Sequence, residues 1–443
     1  MSDADLIIRG AEIVTPEGLL KVDLAAAEGR IVFLGDASGM TGREEVDAAG
    51  QLLFPGCVDV HVHFNDPGRA DWEGLDSGSA AMAAGGGTSF ADMPLNSHPP
   101  VLDRETFVAK RQRAESQSCL DFALWGGLTP DSLPYLDDMA DEGAIGFKAF
   151  LCPSGIDEFR AADARTLLHG MKRAAARGLI IGVHAEDPDF IAEHQRHHPP
   201  PRPGTMRDWF ASRPPEAEAR AIDLVCELAG ESGCAVHIVH VSSPEGLDAA
   251  QRGRAAGVDI TVETCHHYLL LDEDAGAAIG IPAKCAPPLR PRASVEALWA
   301  ALESGAIDTL GSDHSPAPPE MKSGEDVFAA WGGIAGCQHG FPLILGRALN
   351  RLSWQRIAEL SSLAPARRFG LRNKGAIALG MDADFILLDK HSIVIRAEDL
   401  RQRHPLSPYL GMKPDWRVAA TFLRGFRVGP CTRGKFLRPA QTH

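Results

Sequence analysis

The sequence predicts an α/β fold: a (β/α)8, or TIM, barrel carrying a small β-sandwich domain built from both chain ends. Three observations lead there. Eight short apolar runs alternate with helical patterns through the middle of the chain. Short strand-like runs occupy both ends. Histidine, lysine and aspartate recur at or near the ends of the apolar runs. The 443 residues exceed a typical single domain, and 44% of them are hydrophobic, enough for a full core.

Residues 1–54 read as short strands, including Leu6–Arg9, Glu12–Val14 and Arg30–Phe33, with glycine-bearing turns between them. Residues 376–443 return to this pattern with Asp384–Leu388 and Ala420–Leu423. Short strands need partners to be stable, so the two ends are expected to combine in one small β domain. Residues 55–375 are expected to form the barrel. Its strand candidates are Val58–His63, Thr88–Met93, Asp121–Gly126, Ala144–Phe150, Leu179–His184, Cys234–His240, Val258–Thr264 and Ala306–Gly311. Helical patterns lie between them, among them Arg160–Arg177, Pro215–Glu231 and Pro244–Ala256. Proline in the first turn, and Gly178, Gly233 and Gly257 before the next strand, fit helix ends. Eight such units in about 250 residues match the barrel in count and length. A doubly wound open sheet competes, but no GxGxxG loop follows the first strand candidate, and no repeat of solenoid period is present.

The formal charge of −15 disfavours nucleic acid or an anionic membrane as a partner. No apolar run approaches the ~20 residues needed to span a bilayer. Nine cysteines are scattered singly, without a CxxC pair, and read as reduced, mostly buried thiols of a cytoplasmic protein. The start, Met1–Asp5, is acidic and lacks the apolar region of a secretory leader.

Six side chains carry the chemistry. His61 and His63 are two apart on a strand and so face one way. In a buried apolar strand, two unsatisfied imidazoles are costly, and a divalent metal would satisfy both. Lys148 lies in the apolar run Gly143–Leu151, where an ammonium is rarely left unpaired. Burial near cations would lower its pKa, and a neutral amine can add carbon dioxide to give a carbamate able to bridge two metals. His184 closes Leu179–His184. His240 closes Val236–His240 and is taken as the inward member of the pair with His237. Asp313 follows the eighth strand candidate, where a carboxylate could take a proton from an activated water and return it to a leaving nitrogen. Alone, each residue is as readily a packing, capping or snorkelling side chain. Together they fall at the C-terminal ends of barrel strands, where barrel active sites lie. A two-metal site would supply hydroxide near neutral pH and polarise a carbonyl, which suits hydrolysis of an amide, an ester or a phosphoester. The pattern itself does not choose among these.

Phe54–His63 resembles the opening signature of the amidohydrolase superfamily. With Gly146–Lys148, Val183–Glu186, His240–Ser243 and Gly311–Ser315, the chain is similar to the cyclic amidase branch, which holds allantoinases, dihydroorotases and hydantoinases. The resemblance runs over nearly the whole chain. It implies a binuclear centre of two divalent ions, usually zinc, though cobalt, nickel or manganese suit the same ligands. His61, His63 and Asp313 would serve the more buried ion, and His184 and His240 the other. Lys148 would bridge as its carbamate, and Asp313 would also shuttle the proton. Within the branch, Asp66–Gly74, Asp92–Asn96, Ser315–Lys322 and Ala330–Gly336 resemble the loops of allantoinases. Dihydroorotases typically carry arginine where Asn65 stands, and hydantoinases a tyrosine beyond the bridging lysine, where this chain reads Phe150–Ser154. Many relatives have serine where Ala286 stands. By resemblance alone, Asn96, Ala286, Ser315 and Gly332 would hold a small uncharged ureide, and the assembly would be a homo-oligomer, often a tetramer. The rival readings are a non-catalytic scaffold that has lost its ligands, and a phosphoesterase with cationic donors near the metals.

Overall fold

Eight parallel strands form the barrel: Cys57–Val62, Gly87–Asp92, Asp121–Leu124, Gly146–Phe150, Ile180–His184, Val236–Ile238, Ile260–Cys265 and Thr309–Gly311. The computed structural model describes residues 4–440, so Met1 to Asp3 of the acidic start lie outside the described residues. The short strand Gly126–Gly127 pairs with the fourth strand and carries the third one onward. The ring closes where Val62 bridges His314 in parallel and His63 N donates to His314 O at 2.7 Å. Asp59 staples the same seam: its carboxylate accepts from His61 N at 3.0 Å and from Ser312 N at 3.1 Å.

All eight expected strands are present, with ends shifted by one residue or more in most and several of them shorter. The third breaks at Trp125, whose indole Nε1 donates to Val60 O at 2.9 Å. Its ring fills the barrel interior where the facing strands carry glycine. A Cβ added at Gly182 would lie 3.0 Å from that ring, so a side chain there would crowd the indole. The sixth strand stops at Ile238, so His240 lies beyond it and not at its end, as the sequence implied. The helix expected from Arg160 starts at Ala164, because Asp163 caps it by accepting from Thr166 N at 2.7 Å. Helices Pro215–Ser232 and Pro244–Ala255 follow their sequence patterns. Gly178, Gly233 and Gly257 all take the left-handed backbone that ends a helix.

The chain ends build two further sheets. One orders Arg30–Gly35, Asp23–Ala27, Ala4–Arg9 and Gly42–Asp47. The other orders Phe426–Arg427, Arg417–Leu423, Phe385–Asp389, Leu52–Pro55, Glu12–Thr15 and Gly18–Lys21. Phe385–Asp389 pairs antiparallel with Leu52–Pro55, so a C-terminal strand sits beside an N-terminal one. Leu6, Ile8, Ile13, Leu53, Phe385 and Phe422 form a buried cluster of their own, as expected when alternate residues of two sheets face each other. All nine cysteines are free and only Cys431 is exposed. No helix among the described residues is long and apolar enough to cross a membrane.

A buried ammonium ties the β layers to the barrel. Lys374 Nζ contacts Asp121 at 2.6 Å, Asp384 at 2.6 Å and Asp382 at 2.8 Å. Asp121 opens the third barrel strand and is also paired with Arg424. Removing one member of a buried charge cluster strands the others in a low dielectric. Lys374→Met is therefore expected to lower stability by roughly 3 kcal/mol, read as a depressed melting temperature in scanning calorimetry. An unchanged melting temperature would show that the junction does not depend on it.

Candidate metal centre and active site

The C-terminal mouth of the barrel brings the six predicted side chains together. His61 lies within the first strand and His63 just past its end, with Val62 turned the other way into the core. Their Nε2 atoms lie 3.2 and 3.3 Å from the same oxygen, Asp313 Oδ1. His184 ends the fifth strand, and its Nδ1 is 2.9 Å from His240 Nε2. The His61 and His240 ring centroids are 5.4 Å apart, so the two clusters adjoin. Lys148 stands on the fourth strand with its Nζ 4.9 Å from the centroid of the Phe150 ring. The Phe150 ring in turn stacks on His184 at 4.5 Å. His240 and Asp313 both have φ near +43°. Non-glycine residues hold such backbone only when their surroundings impose it, at a cost of order 1–3 kcal/mol. Here it turns two side chains inward beyond their strand ends.

Burial and mutual charge set the ionisation of these groups. Burial opposes a charge on His61, but Asp313 and Glu263 outweigh it and raise its pKa to about 9. His63 goes the other way: burial brings it down to about 4 despite Asp313. His240 is driven well below the ordinary imidazole value by burial and by His184. Burial works to neutralise Asp313, yet His61 and His63 hold its carboxyl well below the usual range. Lys148 falls to about 8 through burial, partly offset by Asp313 and Glu263.

The donor set fits a divalent metal. His61, His63 and Asp313 offer ligand atoms all within 4.8 Å of one another. His63 Nδ1 and Lys148 Nζ are buried and have no hydrogen-bond partner. Imidazole nitrogens with a carboxylate are borderline ligands suited to zinc and its neighbours. A buried amine without a partner is costly, and its lowered pKa makes the neutral form more accessible than in an ordinary lysine.

Several supporting groups were not singled out by sequence reasoning. Glu263, on the seventh strand, lies 2.7 Å from His61 Nδ1 and accepts from His240 N at 3.2 Å. It thereby orients one imidazole from each cluster. Glu186 lies 2.7 Å from His184 Nε2 and is gripped by Arg213, at 2.9 Å on one oxygen and 2.5 Å on the other. His314 Nδ1 accepts from Gly336 N at 3.1 Å, and its Nε2 faces Glu73 at 3.6 Å. The available signal was a carboxylate inside an apolar run, as at Glu263 in Ile260–Cys265, since such a group must find a partner.

A cavity of about 400 Å³ opens above the cluster. Asn96, Ala286, Ser315 and Gly332 all line it. Asn96 has φ near +66°, and its side-chain oxygen has no partner. Asn65 does not face the cavity; its side chain is buried and donates to Pro316 O at 3.2 Å. Two cations line the mouth, and both are engaged within the protein. Arg213 is held by Glu186, and Lys284 Nζ donates to Ala330 O at 2.5 Å. Each cation of the described lining therefore already has an internal partner.

Comparison with known proteins agrees with this geometry. The model of the amidohydrolase family matches residues 52–428. An allantoinase of Rubrobacter xylanophilus is 46% identical, over 99% of this chain and 98% of the relative. An allantoinase of Deinococcus radiodurans is also 46% identical, over 98% of this chain and 99% of the relative. Among solved structures, an L-hydantoinase (dihydropyrimidinase) from Arthrobacter aurescens superposes with a TM-score of 0.94 at 32% identity, covering 98% of this chain and 100% of that one. A D-hydantoinase from Thermus sp. gives 0.89 at 27% identity, covering 98% and 99%.

Groups that orient ligating imidazoles typically change metal affinity 10–100-fold when altered. Glu263→Gln keeps the shape and removes the charge behind His61. It is expected to weaken metal binding about tenfold or more, measured by competition with a chromogenic chelator. Retained wild-type affinity would remove Glu263 from the support of the centre.

Proposed function

The chain belongs to the amidohydrolase family, and we propose that it is a metal-dependent allantoinase, opening the ring amide of allantoin to give allantoate. The observation that carries the hydrolytic reading is the shared oxygen of Asp313 between His61 and His63, beside the His184–His240 pair and the unpartnered amine of Lys148. The substrate reading rests on full-length similarity to proteins named allantoinase and on a cavity whose two lining cations each have an internal partner. A non-catalytic scaffold would have no use for the complete set of six.

His61, His63 and Asp313 would hold one ion, His184 and His240 the other, with Lys148 as a carbamate between them. When bound, two divalent ions supply an activated water near neutral pH and polarise the ring carbonyl. The chain's own groups do the rest. Glu263 takes the Nδ1 proton side of His61 and leaves its Nε2 lone pair facing the centre. Glu186 does the same for His184 through Nε2, leaving Nδ1 on the side of His240 Nε2. The Asp313 carboxylate, kept ionised by its neighbours, accepts the proton of the attacking water as the new C–O bond forms. It returns that proton to the ring nitrogen as the C–N bond breaks, so one water is consumed and no co-reactant is needed. Asn96, Ser315, and the backbone at Ala286 and Gly332 orient the ureide. Ala286 lacks the hydroxyl many relatives carry, so its contact runs through the main chain.

The same reading takes zinc as the metal, a cytoplasmic setting, a homotetramer, and a division of the chain into residues 1–54, 55–375 and 376–443. Purified metal-loaded protein, offered allantoin, dihydroorotate and hydantoin, is expected to turn over allantoin preferentially. Preference for either of the others would reject the substrate. Lys148→Ala is expected to lose metal and activity together, with both partly restored by a short carboxylic acid in the buffer. Full metal content and rate in that variant would refute the bridge.

A further inference from the structure

Two buried lysines sit beside the cavity with no carboxylate partner. Lys284 is 3% exposed and Lys322 9%. Among the described residues, neither forms a salt bridge. Both spend their ammonium hydrogens on carbonyl oxygens of a single strap, Ala330–Gly333. Lys284 Nζ donates to Ala330 O at 2.5 Å, and Lys284 O accepts from Gly333 N at 2.7 Å. Lys322 Nζ donates to Trp331 O at 3.2 Å and also to Gly333 O. Burial lowers Lys284 to about 8 and Lys322 to about 7, so holding a loop with two ammoniums against backbone dipoles is expensive, which calls for a reason.

The strap supplies one. Its central residue, Gly332, lines the cavity, and neither its N–H nor its C=O has a partner among the described residues. A Cβ at that position would meet only Lys284 Cε, at 4.0 Å, so packing does not demand glycine there. Gly333, by contrast, has φ near +142°, and a Cβ on it would lie 2.4 Å from Ser315 O, so glycine is compulsory. A two-glycine segment that contacts a ligand only through its backbone has no side chain to fix its position. The fixing must come from outside. The Trp331 carbonyl that Lys322 binds belongs to the same peptide unit as the Gly332 N–H. A cation on the oxygen of an amide draws charge from its nitrogen and makes the N–H a better donor.

We propose that Lys322 is a positioning residue of the active site: by gripping the Trp331 and Gly333 carbonyls it fixes and polarises the Gly332 peptide, whose N–H donates to a carbonyl oxygen of the cyclic ureide. Lys284 completes the clasp through Ala330 O and Gly333 N. The role rests on the proposed function, because it takes Gly332 as a ureide contact. Lys322 is not among the residues lining the cavity and touches none of the six candidate ligands, so it acts only through the strap.

The test compares wild type, Lys322→Met and Lys322→Arg, all metal-loaded, on whichever cyclic amide the wild type turns over. Wild-type preference among allantoin, dihydroorotate and hydantoin judges the substrate separately from the clasp. Lys322→Met is expected to raise KM about tenfold, the worth of one charge-assisted hydrogen bond, with kcat within about threefold and metal content at the wild-type level. Lys322→Arg, which keeps a cationic donor, is expected to recover a substantial part of the lost KM. An unchanged KM in Lys322→Met overturns the proposal. So does a joint loss of kcat and metal in both variants, which would make Lys322 a packing residue.

Discussion

One carboxylate oxygen shared by two imidazoles organises the mouth of this barrel. Asp313 Oδ1 draws in His61 and His63 from the first strand while Asp313 itself hangs from the end of the eighth. First and eighth strands are the two edges that must meet to close the ring, so the candidate centre and the closing seam are one piece of structure. Asp59 works in the same place, bonding His61 N and Ser312 N across that seam. None of these groups could be buried singly; each is tolerable because another stands beside it.

The dependence runs outward in steps. His61 needs Glu263 on its far nitrogen, and Glu263 also receives His240 N, which anchors the second cluster to the first. His184 needs Glu186, and Glu186 needs Arg213. Positive φ at His240 and Asp313 is the backbone's share of the same constraint: strands end early, and two residues turn left-handed to aim inward. The strap over the cavity follows a different rule. Its backbone carbonyls are held by two buried ammoniums, and one of them, Lys322, contributes no lining of its own.

The six candidate ligands were legible because residue type and strand-end position coincide. A histidine or lysine closing an apolar run has few ways to be satisfied, and barrel topology sends all such ends to one mouth. The eight strands were legible from apolar runs punctuated by glycine and proline. Their lengths were not, since Trp125 breaks one strand through a bond to Val60 O that no local pattern announces. Glu263, Glu186 and Glu73 escaped notice for a related reason. Each is distant in sequence from the histidine it serves or sits in a motif whose histidine drew the attention. Asn65, where dihydroorotases carry arginine, has its side chain buried against Pro316 O and turned away from the cavity.

By itself the sequence determined the order of strands and helices, the union of both chain ends in one β layer system, and the chemical identity of the donors. These are matters of local periodicity and residue type, which act over a few neighbours. Only the tertiary structure decided which donor meets which, where Asp313 and His240 point, and that the cations at the cavity mouth are already spoken for. Such pairings join residues more than 250 positions apart, as Asn65 and Pro316, and Asp59 and Ser312, are. Distances between them come from barrel closure and from the need of every buried charge for a partner, neither of which any short stretch of chain contains.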